Sequence, residues 1–240
     1  LITFEQARTS QRATGQPFYL LMSLLLAGIT TLGFSHTVPM DLAPPGLPLL
    51  LKFHAAIFLT WVLLFIAQPS LVFSGNLAMH RRLGWFGLAL ACAMVGLGAA
   101  AMIFALRADS LPPFYPPGLF TVRGLAGLAG FAALVAAAIL QRGRPDWHKR
   151  LMLCAAITVI VPGLERSMPV FLFGPHWYFI VDTVELAVAL IGPSLDFFSR
   201  RRIHPAYFYG VGAILIIQAT TDLVSPTPFA AALAQTLAGT

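Results

Sequence analysis

Seven apolar runs follow one another along this chain, roughly Phe18 to His36, Leu49 to Phe73, Leu83 to Leu106, Gly118 to Leu140, Leu151 to Phe173, His176 to Phe198 and Ala206 to Leu223. About 20 apolar residues carry an α-helix across the hydrocarbon of a bilayer, whereas a transmembrane β-strand alternates over about 10. None of these runs alternates. The sequence therefore predicts an all-α membrane bundle, a single transmembrane domain of about seven helices. The composition agrees: 58% of the 240 residues are hydrophobic, only 10% are charged, and the mean hydropathy is +0.81. Water cannot be the main solvent of such a surface.

The connections set the expected orientation. Arg8 and Arg12 precede the first run, Arg81 and Arg82 the third, Arg142, Arg144, Lys149 and Arg150 the fifth, and Arg200, Arg201 and Arg202 the seventh. These are eleven of the fifteen basic residues, and all fall on one side if the spans alternate. The other connections are rich in proline and nearly uncharged, as at residues 39–45 and 111–117. Positive loops stay cytoplasmic, which places the N-terminus inside and the C-terminus outside a bacterial inner membrane. The net charge of +6 is distributed between apolar runs rather than over one soluble face, so it points to phospholipid and away from nucleic acid. The first run follows Arg8 and Arg12 as a signal peptide would, but it is long and no small-x-small site follows it, so it reads as a retained helix.

Packing signals accompany the third and fourth runs. Gly87 and Ala91, Gly96 and Ala100, and Ala126 and Gly130 are each four apart, a spacing that lets helix backbones approach. Cys92 and Cys154 sit in apolar stretches at no motif spacing and are expected to be small buried packing residues. The tryptophans, Trp61, Trp85, Trp147 and Trp177, are expected mostly at the membrane borders.

Ionisable residues inside the spans carry the most functional information, because each is costly in hydrocarbon. Lys52 and His54 lie near the start of the second run, Arg123 near the start of the fourth, Glu165 and Arg166 toward the end of the fifth, and Asp182 and Glu185 early in the sixth. All fall in the outer half. Asp182 and Glu185, three apart, share a helix face, and Pro162-Gly163 just before Glu165 predicts a kink. A polar pocket lined by spans two, four, five and six follows. Its charges could simply pair to fix helix order, or they could hold a ligand. For a metal the donors would be His54, Glu165, Asp182 and Glu185. For a haem b the imidazoles would come from His36, His54 and His176, with Arg123 or Lys52 facing the propionates. A quinone is a third candidate. No Ser or Cys nucleophile elbow, Gly-rich phosphate loop, HExxH or CxxC occurs.

A faint echo joins two borders: His80-Arg81-Arg82-Leu83 opens the third run and His148-Lys149-Arg150-Leu151 the fifth. At His80-Arg81-Arg82-Leu83-Gly84 and Trp147-His148-Lys149-Arg150-Leu151-Met152 the chain resembles uncharacterised bacterial multi-spanning membrane families with similar border motifs. Some relatives of that type are associated with haem-copper oxidase assembly, so the resemblance implies a haem or metal role. It covers only these short segments, and the chain has more spans than the four-helix oxidase-associated group. Seven-helix zinc-dependent hydrolases such as alkaline ceramidases offer another comparison, but their HxxxH pair is absent here. Three function classes result: a ligand-binding protein with a redox or assembly role, an accessory subunit of a larger respiratory or photosynthetic complex, and a hydrolase or transporter.

Overall fold

The computed structural model describes residues 4–35, 48–111, 115–167, 174 and 177–240. These form α1 (Phe4–Ser35), α2 (Leu49–Phe73), α3 (Leu77–Arg107), α4 (Pro117–Leu140), α5 (Pro145–Thr158), α6 (Val161–Ser167), α7 (Trp177–Arg200), α8 (Pro205–Val224) and α9 (Pro228–Ala238), with no strand among the described residues. Seven segments are long and apolar enough to cross a membrane, and α5 and α6 together make the fifth. The protein is an all-α bundle of seven spans. The basic connections gather at one end of it, called here the basic end, and the opposite end is the proline-rich one.

Local chemistry sets several boundaries. Asn76 caps α3 by accepting from the Met79 amide at 3.1 Å, so the helix begins before His80 rather than at Leu83. Proline opens α4, α5, α8 and α9, where its missing N–H costs nothing. The fifth span breaks as expected near Pro162, with the turn at Val159 and Ile160. A proline ring clashes with the carbonyl four residues back, here that of Thr158. Around the turn the backbone switches to three-residue bonds, Val159 N to Ala156 O at 3.2 Å and Ile160 N to Ile157 O at 3.1 Å. The Thr158 hydroxyl, bonded to the Ala155 carbonyl at 2.8 Å, adds to the bend.

The interior falls into two apolar clusters. One joins Met22, Leu26, Ile157, Ile160, Trp177 and Val181, and the other joins Trp61, Met94, Phe131, Leu151, Cys154 and Tyr207. Trp61 and Trp177 are thus core residues rather than border ones, because each finds an aromatic partner inside the bundle: Phe131 at 5.2 Å from Trp61 and Tyr115 at 5.2 Å from Trp177. Trp85 is exposed near the basic end, as an interfacial residue should be. Cys154 is buried against Gly210, but Cys92 lies on the bundle surface, on the face of α3 turned away from its neighbours.

The small residues have unequal roles. Gly87 lets Leu64 of α2 approach α3, and Gly130 receives Ile217 of α8, while Gly96 faces open space. A closer crossing falls elsewhere. A Cβ on Gly33 would land on the Gly163 carbonyl, and one on Gly163 would come within 3.0 Å of Thr30 Cα, so α1 and α6 meet backbone to backbone. Gly33→Ala is expected to force them apart at a cost of about 1 to 3 kcal/mol, read as a lower Tm in mild detergent beside an unchanged Gly96→Ala control.

Candidate functional site

Three spans meet at the proline-rich end through one guanidinium. Arg123 projects from the second turn of α4 and is 7% exposed. Its Nε donates to Glu165 Oε1 on α6 at 2.8 Å, and its Nη2 donates to Asp182 Oδ1 on α7 at 2.6 Å. The break at Val159 and Ile160 gives α6 its own course, separate from α5, over the stretch that carries Glu165. Tyr115, just ahead of α4, donates its hydroxyl to the same Glu165 oxygen at 3.1 Å. Burial, with the Glu165 carboxylate beside it, pushes the Tyr115 phenol well above its ordinary pKa, so it remains a donor.

The acidic layer continues toward α8. Glu185, one turn below Asp182, is 2% exposed and accepts at Oε2 from Gln218 Nε2 at 2.9 Å. The same Gln218 nitrogen donates to the Asp182 backbone carbonyl at 3.0 Å. Asp222, one turn beyond Gln218 on α8, lies within electrostatic reach of Asp182 and Arg123. Two buried oxygens here, Asp182 Oδ2 and Asp222 Oδ1, have no hydrogen-bond partner. Among the described residues only one buried cation, Arg123, stands among these acids. Arg166 also acts on Glu165, but its side chain turns outward, bonding the Pro162 carbonyl at 2.9 Å and lying over the Phe34 ring at 4.5 Å.

The structure thus joins Arg123, Glu165 and Asp182 directly, and links Glu185 to them through Gln218. It does not bring His54 or Lys52 into the cluster. Lys52 is exposed, and His54 packs its ring on Phe58 at 4.3 Å with a buried Nδ1 that has no hydrogen-bond partner. The second span, expected to line the pocket, contributes no hydrogen bond or ion pair to this network among the described residues; spans four to seven build it. His36 and His176 lie outside the described residues. Among those described, no three His, Cys, Asp or Glu side chains are grouped to hold a metal ion.

The chain matches no family model, no curated protein and no solved structure.

A second buried charge cluster lies toward the basic end. Arg150 of α5 is 1% exposed and grips Asp196 of α7 with two bonds, Nε to Oδ2 at 3.0 Å and Nη2 to Oδ1 at 2.9 Å. Its Nη1 donates to the Asp146 carbonyl at 2.9 Å, and its guanidinium lies over the Tyr207 ring at 5.5 Å. Lys149 pairs with Asp146 at 2.9 Å. Next to them His204 accepts from the Ala206 amide at 3.2 Å through Nδ1. Burial, and then the positive charge of Arg150, lower the His204 pKa, which keeps that nitrogen free to accept. The sequence placed Arg150 at a lipid border. It is instead the most deeply buried cation described, and every guanidinium nitrogen has a protein partner.

The two echoing motifs also meet. The His80 and His148 rings stand 6.4 Å apart, and His148 Nδ1 donates to the Ala138 carbonyl at 2.9 Å.

Proposed function

We propose that this is a multi-pass protein of the bacterial inner membrane, with its N-terminus cytoplasmic, that exchanges protons through the acidic layer in its outer half as a cation-coupled carrier. The observation that carries this is the charge imbalance. Among the described residues, Glu165, Asp182, Glu185 and Asp222 surround one buried guanidinium, and the only hydrogen bond to the Glu185 carboxylate comes from the neutral amide of Gln218. A carboxylate buried without a cation takes up a proton or a positive ligand, because the isolated ion is too costly in a medium of low dielectric. Glu185 is the proton-exchanging group, and Arg123 tethers the two acids flanking it.

The fifth span supports a carrier over a fixed redox site. Interrupted helices beside a polar site are how transporters let one part of a bundle move against another. Here the interruption separates α5, locked to α7 by Arg150, from α6, tied to Arg123 by Glu165. The metal reading finds less support, since no three His, Cys, Asp or Glu side chains gather among the described residues.

The test is charge movement on a solid-supported membrane after reconstitution. A pH step should evoke a transient current in the wild type, and Glu185→Gln should reduce it to the level of empty liposomes while the protein still inserts and elutes as a single species. A wild-type trace identical to empty liposomes, or an undiminished trace from Glu185→Gln, overturns the proposal.

A further inference from the structure

The cations of the basic end are of two kinds. Lys149, Arg150 and Arg200 each lie within reach of a carboxylate, that of Asp146 or Asp196. Arg81 and Arg82 of α3 and Arg142 of the α4–α5 connection are exposed and pair with no carboxylate among the described residues. The two echoing motifs are therefore used differently. His80 turns inward to face His148, which sends Arg81 and Arg82 outward, whereas the Lys149 and Arg150 of the second motif are bonded to acids. No acidic residue stands in the first turn of α3, so nothing there offsets the positive end of the helix dipole either.

Arg142 reaches across to the same place. Its guanidinium lies over the Trp85 ring at 5.9 Å, and Trp85 stands one turn beyond Arg81 on the same face of α3. One of its nitrogens, Nη1, bonds the Ile139 carbonyl at 3.2 Å, and the other two meet no acceptor among the described residues. Trp85 is 62% exposed, and the exposed Phe86 and Ala89 continue its strip toward the middle of the span. One outward face of α3 thus runs from guanidinium to indole to apolar side chain.

We infer that Arg81, Arg82, Trp85 and Arg142 bind the headgroup of an anionic phospholipid, with its acyl chains along Phe86 and Ala89. Guanidinium groups donate charge-assisted hydrogen bonds to phosphate oxygens, and an indole sits at the depth of the glycerol. A free phosphate would meet the arginines alone; a lipid meets the apolar strip as well. Charge decides the class of lipid. A zwitterionic lipid offers the same phosphate but brings an ammonium group to a site already holding three unpaired cations, so the partner carries a net negative charge. The site requires only that the basic end lie at the headgroups of one leaflet, and it does not depend on proton exchange by Glu185.

The test uses bromine on the acyl chains as a contact quencher of tryptophan. Trp61 and Trp177 are buried, so in a Trp147→Phe background Trp85 is the exposed indole that remains. The protein is reconstituted in phosphatidylcholine vesicles with increasing fractions of brominated phosphatidylglycerol, and separately of brominated phosphatidylcholine. Phosphatidylglycerol is expected to bind at Trp85 roughly tenfold more tightly, and Arg81→Gln and Arg142→Gln should each lower that ratio roughly fivefold. Lys149→Gln removes the same charge from the same end but faces Asp146, and should leave the ratio unchanged. Both arginines are exposed, so an unchanged Tm shows that their variants keep the fold. Equal quenching by the two lipids in the wild type, or a ratio that neither arginine variant lowers, overturns the inference. So does a fall in Lys149→Gln as large as in Arg142→Gln, since the lipid would then answer to general surface charge.

Discussion

Arg123→Ala is expected to lose most of the stability of the bundle, melting far below the wild type in mild detergent. Removing one partner from a buried ion pair costs about 3 to 5 kcal/mol, because the charge left behind has neither water nor a counterion. Arg123 has two such partners, with side chains of Glu165 and Asp182 that are 15% and 9% exposed. Tyr115 continues to donate to Glu165, which limits the damage on that side. Asp182 keeps no side-chain donor among the described residues. Arg123→Lys should fall between, retaining the charge but not the fork that reaches α6 and α7 at once. The triple change Arg123→Met with Glu165→Gln and Asp182→Asn should recover much of the loss, since neutral replacements leave no stranded charge. Thermal unfolding followed by tryptophan fluorescence separates these cases. An Arg123→Ala protein that melts with the wild type would mean the guanidinium does not hold the three spans together.

How much of this was readable in the sequence depended on the range of the interaction. Span number and helical character follow from hydropathy summed over about 20 residues, which needs no knowledge of partners. The break in the fifth span was visible because Pro162 acts on its own backbone. The membership of the charge cluster was partly visible, since Arg123, Glu165, Asp182 and Glu185 are each too costly to face lipid. What the sequence could not give was the pairing. Gln218 is uncharged and sits in an apolar run, and nothing local marks it as the donor that Glu185 depends on. Tyr115 is similarly hidden among the prolines of a connection. His54 was weighted for its chemistry alone, although its place on α2 sets it against Phe58. Arg150 was misread because a basic residue in the first turns of a span usually reaches headgroups by snorkelling. Asp196, 46 residues away, is the partner that buries it, and Asp196 also pairs with Arg200 one turn later at 3.8 Å.

The Arg150 cluster should answer to mutation as the Arg123 cluster does in magnitude, but for a different reason. Asp196→Ala removes both carboxylate bonds from a guanidinium that is 1% exposed, leaving only the Asp146 contacts and the Tyr207 face. The expected cost is again about 3 to 5 kcal/mol. It should appear as a lower Tm and a smaller yield of monodisperse protein. A double change, Arg150→Met with Asp196→Leu, should restore most of the stability, because this cluster is balanced and fully bonded. That balance separates the two layers. Arg150 meets Asp196 with no unpartnered donor or acceptor between them, so it has no capacity left for a ligand and serves to fix α5 against α7. The Arg123 layer has acids in excess and two idle carboxylate oxygens among the described residues. If the double variant regains its Tm, it should also regain the Glu185-dependent pH-step current, since the locked half of the fifth span only has to stay in place. A restored Tm with an absent current would instead make Arg150 part of the proton path, and the division between a fixed layer at the basic end and an exchanging one at the proline-rich end would have to be abandoned.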